Sequence, residues 1–265
     1  MRFLSLCAVV FKLTRKCCYE GYTNFFSDVS DYESSIENAP RSWAAVYAVR
    51  QAMAIYPHTA YFYHLSPHAL IMDSYKSLES QLLSKSRLES LMLKNVPVVP
   101  PDSVIKTFSH LTSKDIELVL TADSEALSAG SFVIKQGEFA KFFVDVWSDP
   151  LYRNYNFVKA ETHALVSGED FLSMVDCLYN LHISFCFKQD HIVQWHPTIL
   201  ARLALVPQRT INAYSRDSPD AAADGTYRDG DFVIRFFGCD SDPKRSCETE
   251  MDVYYSMWER KLDGE

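Results

Sequence analysis

Thr59-Ala60-Tyr61-Phe62-Tyr63-His64-Leu65-Ser66-Pro67-His68-Ala69-Leu70-Ile71-Met72 is the stretch on which the reading of the chain turns. Tyr61, Phe62 and Tyr63 are strand formers, Pro57 stops whatever precedes them, and Pro67 cannot donate to a ladder, so a strand is expected to end near Leu65. Polar groups at the carboxyl end of such a strand, in an open α/β sheet, sit where ligands bind. Ser66 and His68 therefore become candidate contacts, with an ordinary turn after a buried strand as the other reading. His64 is expected to point to the face opposite Leu65.

Outward from that strand, helical and extended patterns alternate. Trp43 to Ile55 repeats apolar residues at Trp43, Val46, Tyr47, Val49 and Met53, and a second helix is expected over Leu78 to Leu93. Val96 to Pro101 carries three prolines and reads as extended edge or loop. Ile116 to Leu120 and Ser131 to Lys135 are strand candidates, and Glu138 to Trp147 reads as a helix with Phe139, Phe142, Phe143 and Val146 inward. Ser215 to Asp231, rich in Asp, Ala and Gly, reads as a mobile loop before a strand from Phe232 to Phe237. Thr14 to Tyr19 reads as a helix end capped by Gly21. Strands alternating with helices give an α/β class.

Composition narrows the possibilities. At 265 residues and 48% hydrophobic, the chain can bury a sizeable core and is read as one domain over 1–265. A formal charge of −8, with no run of Lys and Arg, argues against a nucleic-acid partner. Seven cysteines without a Cys-x-x-Cys pair carry no zinc signature. The apolar run from Phe3 to Phe11 is too short to span a bilayer. It reads either as a signal-peptide core without an evident cleavage site or as a buried first strand.

Six blocks in a fixed order carry a resemblance: RSWAAVYAVRQAMAIYP from Arg41, YFYHLSPHALIM from Tyr61, SAGSFVIKQGEFAKFFVDVWSDPLY from Ser128, KAETHAL from Lys159, ALVPQRTINAY from Ala204 and GDFVIRFFGC from Gly230, with CETEM following from Cys247. This order resembles glycosyltransferase family 34, which holds fungal α-1,6-mannosyltransferases and α-galactosyltransferases together with plant xyloglucan xylosyltransferases. Within the family the sequence looks most like the fungal Golgi α-1,6-mannosyltransferase subunits of the mannan polymerase complex. The resemblance implies a GT-A-like fold, a single mixed sheet flanked by helices. It also implies GDP-mannose as donor, a glycan acceptor, paralogous mannosyltransferase subunits as partners, and the lumenal side of the Golgi membrane. Family members normally carry an N-terminal anchor and stem, so the chain is expected to be an N-terminally truncated form or to be localised by other means. A lumenal setting tips Cys239 and Cys247, which spacing alone leaves open, toward a disulfide.

The resemblance also distributes roles. GT-A enzymes usually stabilise the departing diphosphate with Mn²⁺ held by an acidic pair, which in this family precedes the Ala-Leu of the Tyr61 block, and a later His completes the site. The corresponding positions here are Ser66, His68 and Arg235. Arg235 accordingly supports two opposite expectations: transfer without metal, or a donor site that no longer works. Ala45, Ser128 and Thr162 are further departures, standing where the family often has Lys, Asn and Gln. Gly130 and Ser131 keep a glycine that lets backbone approach a sugar. Glu161 corresponds to a family acid near the reacting carbon, and Glu161 and His163 flank the acceptor side in this reading; both are also readable as ordinary polar helix residues. Arg209 could meet phosphate or a nearby carboxylate. Arg50 is a donor contact or one half of a salt bridge. Residues 166–189 separate blocks that are nearly contiguous in the family. They open with Val166-Ser167 and close with Lys188-Gln189, as an intron translated in frame would, and are read as a retained intron, with a lineage-specific loop as the alternative.

Overall fold

The computed structural model describes residues 3–7, 22–73, 75–98, 105–123, 127–150, 160–166, 197–219 and 224–263. Strands β1 (Phe3–Cys7), β2 (Tyr22–Asn24), β3 (Tyr61–Leu65), β4 (Ala69–Ile71), β5 (Leu118–Thr121), β6 (Ser131–Lys135), β7 (Leu203–Val206), β8 (Ala213–Tyr214) and β9 (Val233–Arg235) form two sheets. The larger has the order β2-β1-β3-β6-β5-β7, and the smaller has the order β4-β9-β8. In the larger sheet every strand runs parallel to β3 except β6, which pairs antiparallel with both β3 and β5. This is the mixed α/β architecture expected from the sequence, with the strands divided between two sheets instead of the single one the resemblance implies. The strand reading of the N-terminal apolar run holds over Phe3–Cys7. The expected helix end at 14–19 lies outside the described residues.

Alternation along the central strands builds a three-layer structure. Phe62, Leu118, Leu120, Phe132, Ile134 and Leu205 face one layer, packed with Val46 and Val49 of α2 (Ala44–Ile55) and with Phe143 and Trp147 of α4 (Glu138–Trp147). Tyr63, Leu65, Val119, Val133 and Val206 face the other, packed against Leu78, Leu82 and Leu88. α1 (Glu33–Ile36) precedes α2, and α3 (Lys85–Leu91) covers the second face. Strands buried on both faces favour apolar residues at every position, which is why β7 and the first three residues of β5 read as unbroken apolar runs, with buried Thr121 ending β5.

Four expectations are corrected. Phe142 is 37% exposed, because the buried stripe of α4 runs through Phe139, Ala140, Phe143, Val144 and Trp147 and leaves Phe142 on the far side. The helix expected from Leu78 to Leu93 is interrupted: a π-helical turn covers Glu79–Leu83, Ser84 adopts extended backbone (φ −62°, ψ 139°), and α3 starts only after it. Ser takes such an N-cap position readily. The segment expected as a mobile loop before β9 is tied at its second half, where Tyr214 N donates to Gly225 O at 2.9 Å and Tyr227 N donates to Tyr214 O at 2.8 Å. β9 itself is shorter than expected, yet Met72 N to Phe232 O (2.9 Å) and Phe236 N to His68 O (2.8 Å) extend its pairing with β4 at both ends.

The remaining helices are α5 (Ala160–Val166), α6 (Pro197–Leu200) and α7 (Cys247–Asp263). The Cys239–Cys247 disulfide ties the start of α7 to the chain leaving β9. Beside it Arg245 forms a two-pronged pair with Glu250 (2.8 and 2.7 Å). No helix among the described residues is long and apolar enough to cross a membrane. The face of α4 predicts a contrast between neighbours. Phe143→Ala should cost about 3–5 kcal/mol of unfolding free energy by chemical denaturation. Phe142→Ala should cost under about 1 kcal/mol; equal losses would refute this packing.

Candidate functional site

The carboxyl ends of β1, β3 and β5 meet the amino end of β6 along one edge of the larger sheet, where the chain crosses into the smaller one. Ser66 N donates to Gly130 O at 2.7 Å, closing β3 against the start of β6. Three residues on, Ala69 pairs with Arg235 in the second sheet. The Ser66-Pro67-His68 bend is thus the hinge between the sheets, and it places the Arg235 side chain over Gly130. A β-carbon on Gly130 would lie 2.1 Å from both Cζ and Nη2 of Arg235, so glycine is required for the approach.

Arg235 is anchored at one corner. Its Nη1 donates to Ser128 Oγ at 2.8 Å and to Asn212 Oδ1 at 3.4 Å. Its Cζ lies 5.1 Å from the ring centre of Phe237 and 5.8 Å from that of Tyr214, within cation–π range of both. Those rings stack at 4.9 Å and 5°. No carboxylate among the described residues comes within ion-pair distance of this guanidinium, and its Nε is buried with no hydrogen-bond partner. Asn212, fully buried, likewise leaves Nδ2 without a partner. The nearby acids are engaged elsewhere: Asp123 accepts from Tyr214 Oη at 2.8 Å, and Asp240 lies 3.9 Å from His68 Nδ1.

Burial and this cation shape the neighbouring titrations. His64, on the helical-layer side of β3 and 5.0 Å from the Phe132 ring, is pushed down to about 3, first by burial and then by Arg235. Burial also lowers His68, opposed by Asp240 and reinforced by Arg235. Burial raises the Tyr214 hydroxyl, with Arg235 opposing.

Of the residues singled out from sequence, Ser66, His68, Ser128, Gly130 and Arg235 come together at this edge. Ser131 lies beneath it, fully buried, with Oγ donating to Ile211 O at 2.5 Å and lying 3.3 Å from Tyr63 Oη, so its hydroxyl serves the core. Arg209 is held in a two-pronged pair by Asp231 (2.9 and 2.7 Å), the carboxylate alternative rather than phosphate. Arg50 pairs with Asp145 at 3.0 Å on an exposed helical face. Glu161 sits on α5, whose neighbours are α4 and the turn Arg41–Trp43. Its backbone carbonyl accepts from Trp147 Nε1 at 2.9 Å, while the carboxylate oxygen Oε2 is buried without a partner, as are Ser42 Oγ and Trp43 Nε1 in that adjoining turn. The side chain of His163 and all of 167–189 lie outside the described residues. Sequence reasoning missed Asn212, Tyr214, Phe237 and Asp123; the first three stood inside the quoted blocks, and Asp123 follows β5 by two positions.

The residues present do not suit the manganese ion usual for such enzymes. Ser66 offers a neutral hydroxyl, and a guanidinium has no lone pair to give. Among the described residues the one cluster of metal-ligating types at suitable spacing is His68, Cys239 and Cys247. Both of its sulfurs are consumed in the disulfide.

The carboxyl edge of this mixed sheet thus gathers polar side chains around one cation, Arg235. The same fold occurs in a glycosyltransferase involved in glycosylation of the major capsid of PBCV-1, which aligns with 96% of this chain and 100% of its own at a TM-score of 0.50 and 12% identity. The chain belongs to the galactosyl transferase GMA12/MNN10 family, matched over residues 14–169 and 189–248. It is 29% identical to an uncharacterized alpha-1,2-galactosyltransferase of Schizosaccharomyces pombe over 91% of this chain and 64% of that protein. It is also 29% identical to the probable alpha-1,6-mannosyltransferase MNN11 of Saccharomyces cerevisiae (78% of this chain, 46% of that protein), and 27% identical to the probable alpha-1,6-mannosyltransferase MNN10 of the same yeast (91% and 56%). The chain therefore spans roughly half to two thirds of the length of these relatives.

His64 gives the site a pH signature. Its folded pKa lies below the ordinary value near 6.5, so as pH falls the unfolded chain takes up the proton first. The stability tied to a neutral His64 is complete above pH 6.5 and is lost progressively toward pH 3. Between pH 6.5 and 5 the fold should lose up to about 1.4 kcal/mol per pH unit from this residue. His64→Leu, compared by denaturant titration, should flatten that slope; an unchanged slope would refute the assignment.

Proposed function

We propose that this chain is a glycosyltransferase subunit that transfers mannose, with retention, from GDP-mannose to the α-1,6-linked mannan backbone of N-linked glycans. It would work on the lumenal side of the Golgi membrane beside paralogous mannosyltransferase subunits. The observation that carries the reading is the unneutralised guanidinium of Arg235 at the sheet edge, packed against Gly130 with no carboxylate partner among the described residues. Likeness to two probable α-1,6-mannosyltransferases supports mannose as the sugar.

In this reading the bond between the anomeric carbon and the diphosphate oxygen breaks, and its electron pair stays on the phosphate. The acceptor hydroxyl bonds to the same carbon on the same face and passes its proton to the departing diphosphate oxygen. The cation at Arg235 faces the charge that develops on the leaving group. Glu161, with one buried carboxylate oxygen unpartnered, is the candidate to meet the sugar or the acceptor. Manganese has no part here, since Ser66, His68 and Arg235 do not hold it.

A second reading rests on that same substitution. With neutral or cationic groups where relatives use acids, the chain could keep the fold to stabilise an active paralogue without turning over sugar itself. Incubating the full chain, alone and with a paralogous subunit, with GDP-mannose or UDP-galactose and α-1,6-mannobiose separates the cases. We expect mannose transfer by the chain alone, with UDP-galactose used about tenfold less well or worse. Transfer of galactose would overturn the donor assignment, and transfer seen only with the paralogue would favour the second reading.

A further inference from the structure

The guanidinium of Arg235 is asymmetric in its partners. Ser128 and Asn212 hold the Nη1 corner, at 2.8 and 3.4 Å. The opposite edge, Nε with Nη2, has no protein partner among the described residues, and Nε is buried. That edge is the one a guanidinium uses to grip two oxygens of a phosphate or carboxylate at once. A charged group taken partly out of water without a counter-ion is costly, and the donors left empty add to the cost. The stacked Tyr214 and Phe237 rings offset part of it but present no oxygen to the free edge. The chain as a whole carries −8, so a lone positive spot is against its general field.

The local acids do not relieve the imbalance. Asp123 is turned to the Tyr214 hydroxyl, Asp240 to His68, and Asp231 is occupied by Arg209. His68, the other ionisable group at the edge, is held toward its neutral form, so it adds no competing cation. An adjacent donor, Asn212 Nδ2, is buried without a close hydrogen-bond partner, though it lies near enough to the Tyr214 hydroxyl to favour its ionised form.

We infer that Arg235 does electrostatically what a divalent cation does elsewhere: its free edge and Asn212 form a metal-independent site for the diphosphate of a nucleotide or sugar nucleotide. This deepens the donor-sugar reading and rests on it. The positive charge is covalently part of the chain, so the site is charged before ligand arrives and needs no chelatable ion. Gly130 belongs to the same device, because any side chain there would push the guanidinium off Ser128.

The test is calorimetry on the full chain with inorganic pyrophosphate and with GDP, each in EDTA and again in excess Mn²⁺. Both ligands should bind in EDTA, with Mn²⁺ changing affinity by less than about threefold. Arg235→Met should weaken both at least tenfold. Arg235→Lys, which keeps the charge but not the two-pronged edge, should fall between. Thermal unfolding checks that each variant is folded, and if Arg235→Met is not, Arg235→Lys and Gly130→Ala carry the comparison. Binding that appears only with Mn²⁺ would overturn the metal-independent site while leaving the donor-sugar reading intact. Binding in EDTA that all three variants retain would overturn the role of Arg235 alone. Absence of binding under both conditions would overturn this inference and the autonomous enzyme together.

Discussion

Ser66 donates its backbone N–H to the carbonyl of Gly130 across the end of the larger sheet, and three residues later the chain is paired with Arg235 in the smaller one. Everything distinctive about the edge follows from that hinge. Because β4 and β9 run antiparallel through Ala69 and Arg235, the side chain of Arg235 returns to the first sheet and lies against Gly130 and Ser128. The disulfide between Cys239 and Cys247 and the Arg245–Glu250 pair brace the chain just beyond Phe237, one of the two rings beneath the cation. The core supports the hinge on both sides: Phe62 and Phe132 on one face of the sheet, Tyr63 and Leu65 on the other.

Much of this was legible in the residues. A run of aromatic strand formers ended by a proline located β3 and its polar terminus, because those are backbone-level constraints that hold whatever surrounds them. The Cys239–Cys247 pair also formed. What was missed depended on context. Phe142 is as apolar as Phe143, and one position round the helix decides which meets the sheet. The π-turn before Ser84 and the return of Gly225 to Tyr214 depend on pairings distant in sequence, which periodicity does not carry.

The site was legible in part for the same reason. Ser66, His68, Ser128, Gly130 and Arg235 were recognisable from ordered blocks, and the fold gathers them. Arg209 and Ser131 had equal standing in the sequence, yet one spends its guanidinium on Asp231 and the other its hydroxyl on the Ile211 carbonyl. Asn212 and Tyr214 were passed over because an amide and a phenol signal nothing until a cation is set beside them. A chain of net charge −8 can thus hold a cation suited to phosphate, since recognition depends on one unpaired group at the right edge rather than on the overall field.

The most direct measurement is the ¹⁵Nε–H resonance of Arg235, assigned through its loss in Arg235→Lys and followed while pyrophosphate is added to the full chain in EDTA. We expect a saturable shift of that resonance together with slowed hydrogen exchange, as the buried Nε gains its missing acceptor. A resonance that does not move while binding is detected by heat would place the anion elsewhere and contradict the central role of this guanidinium.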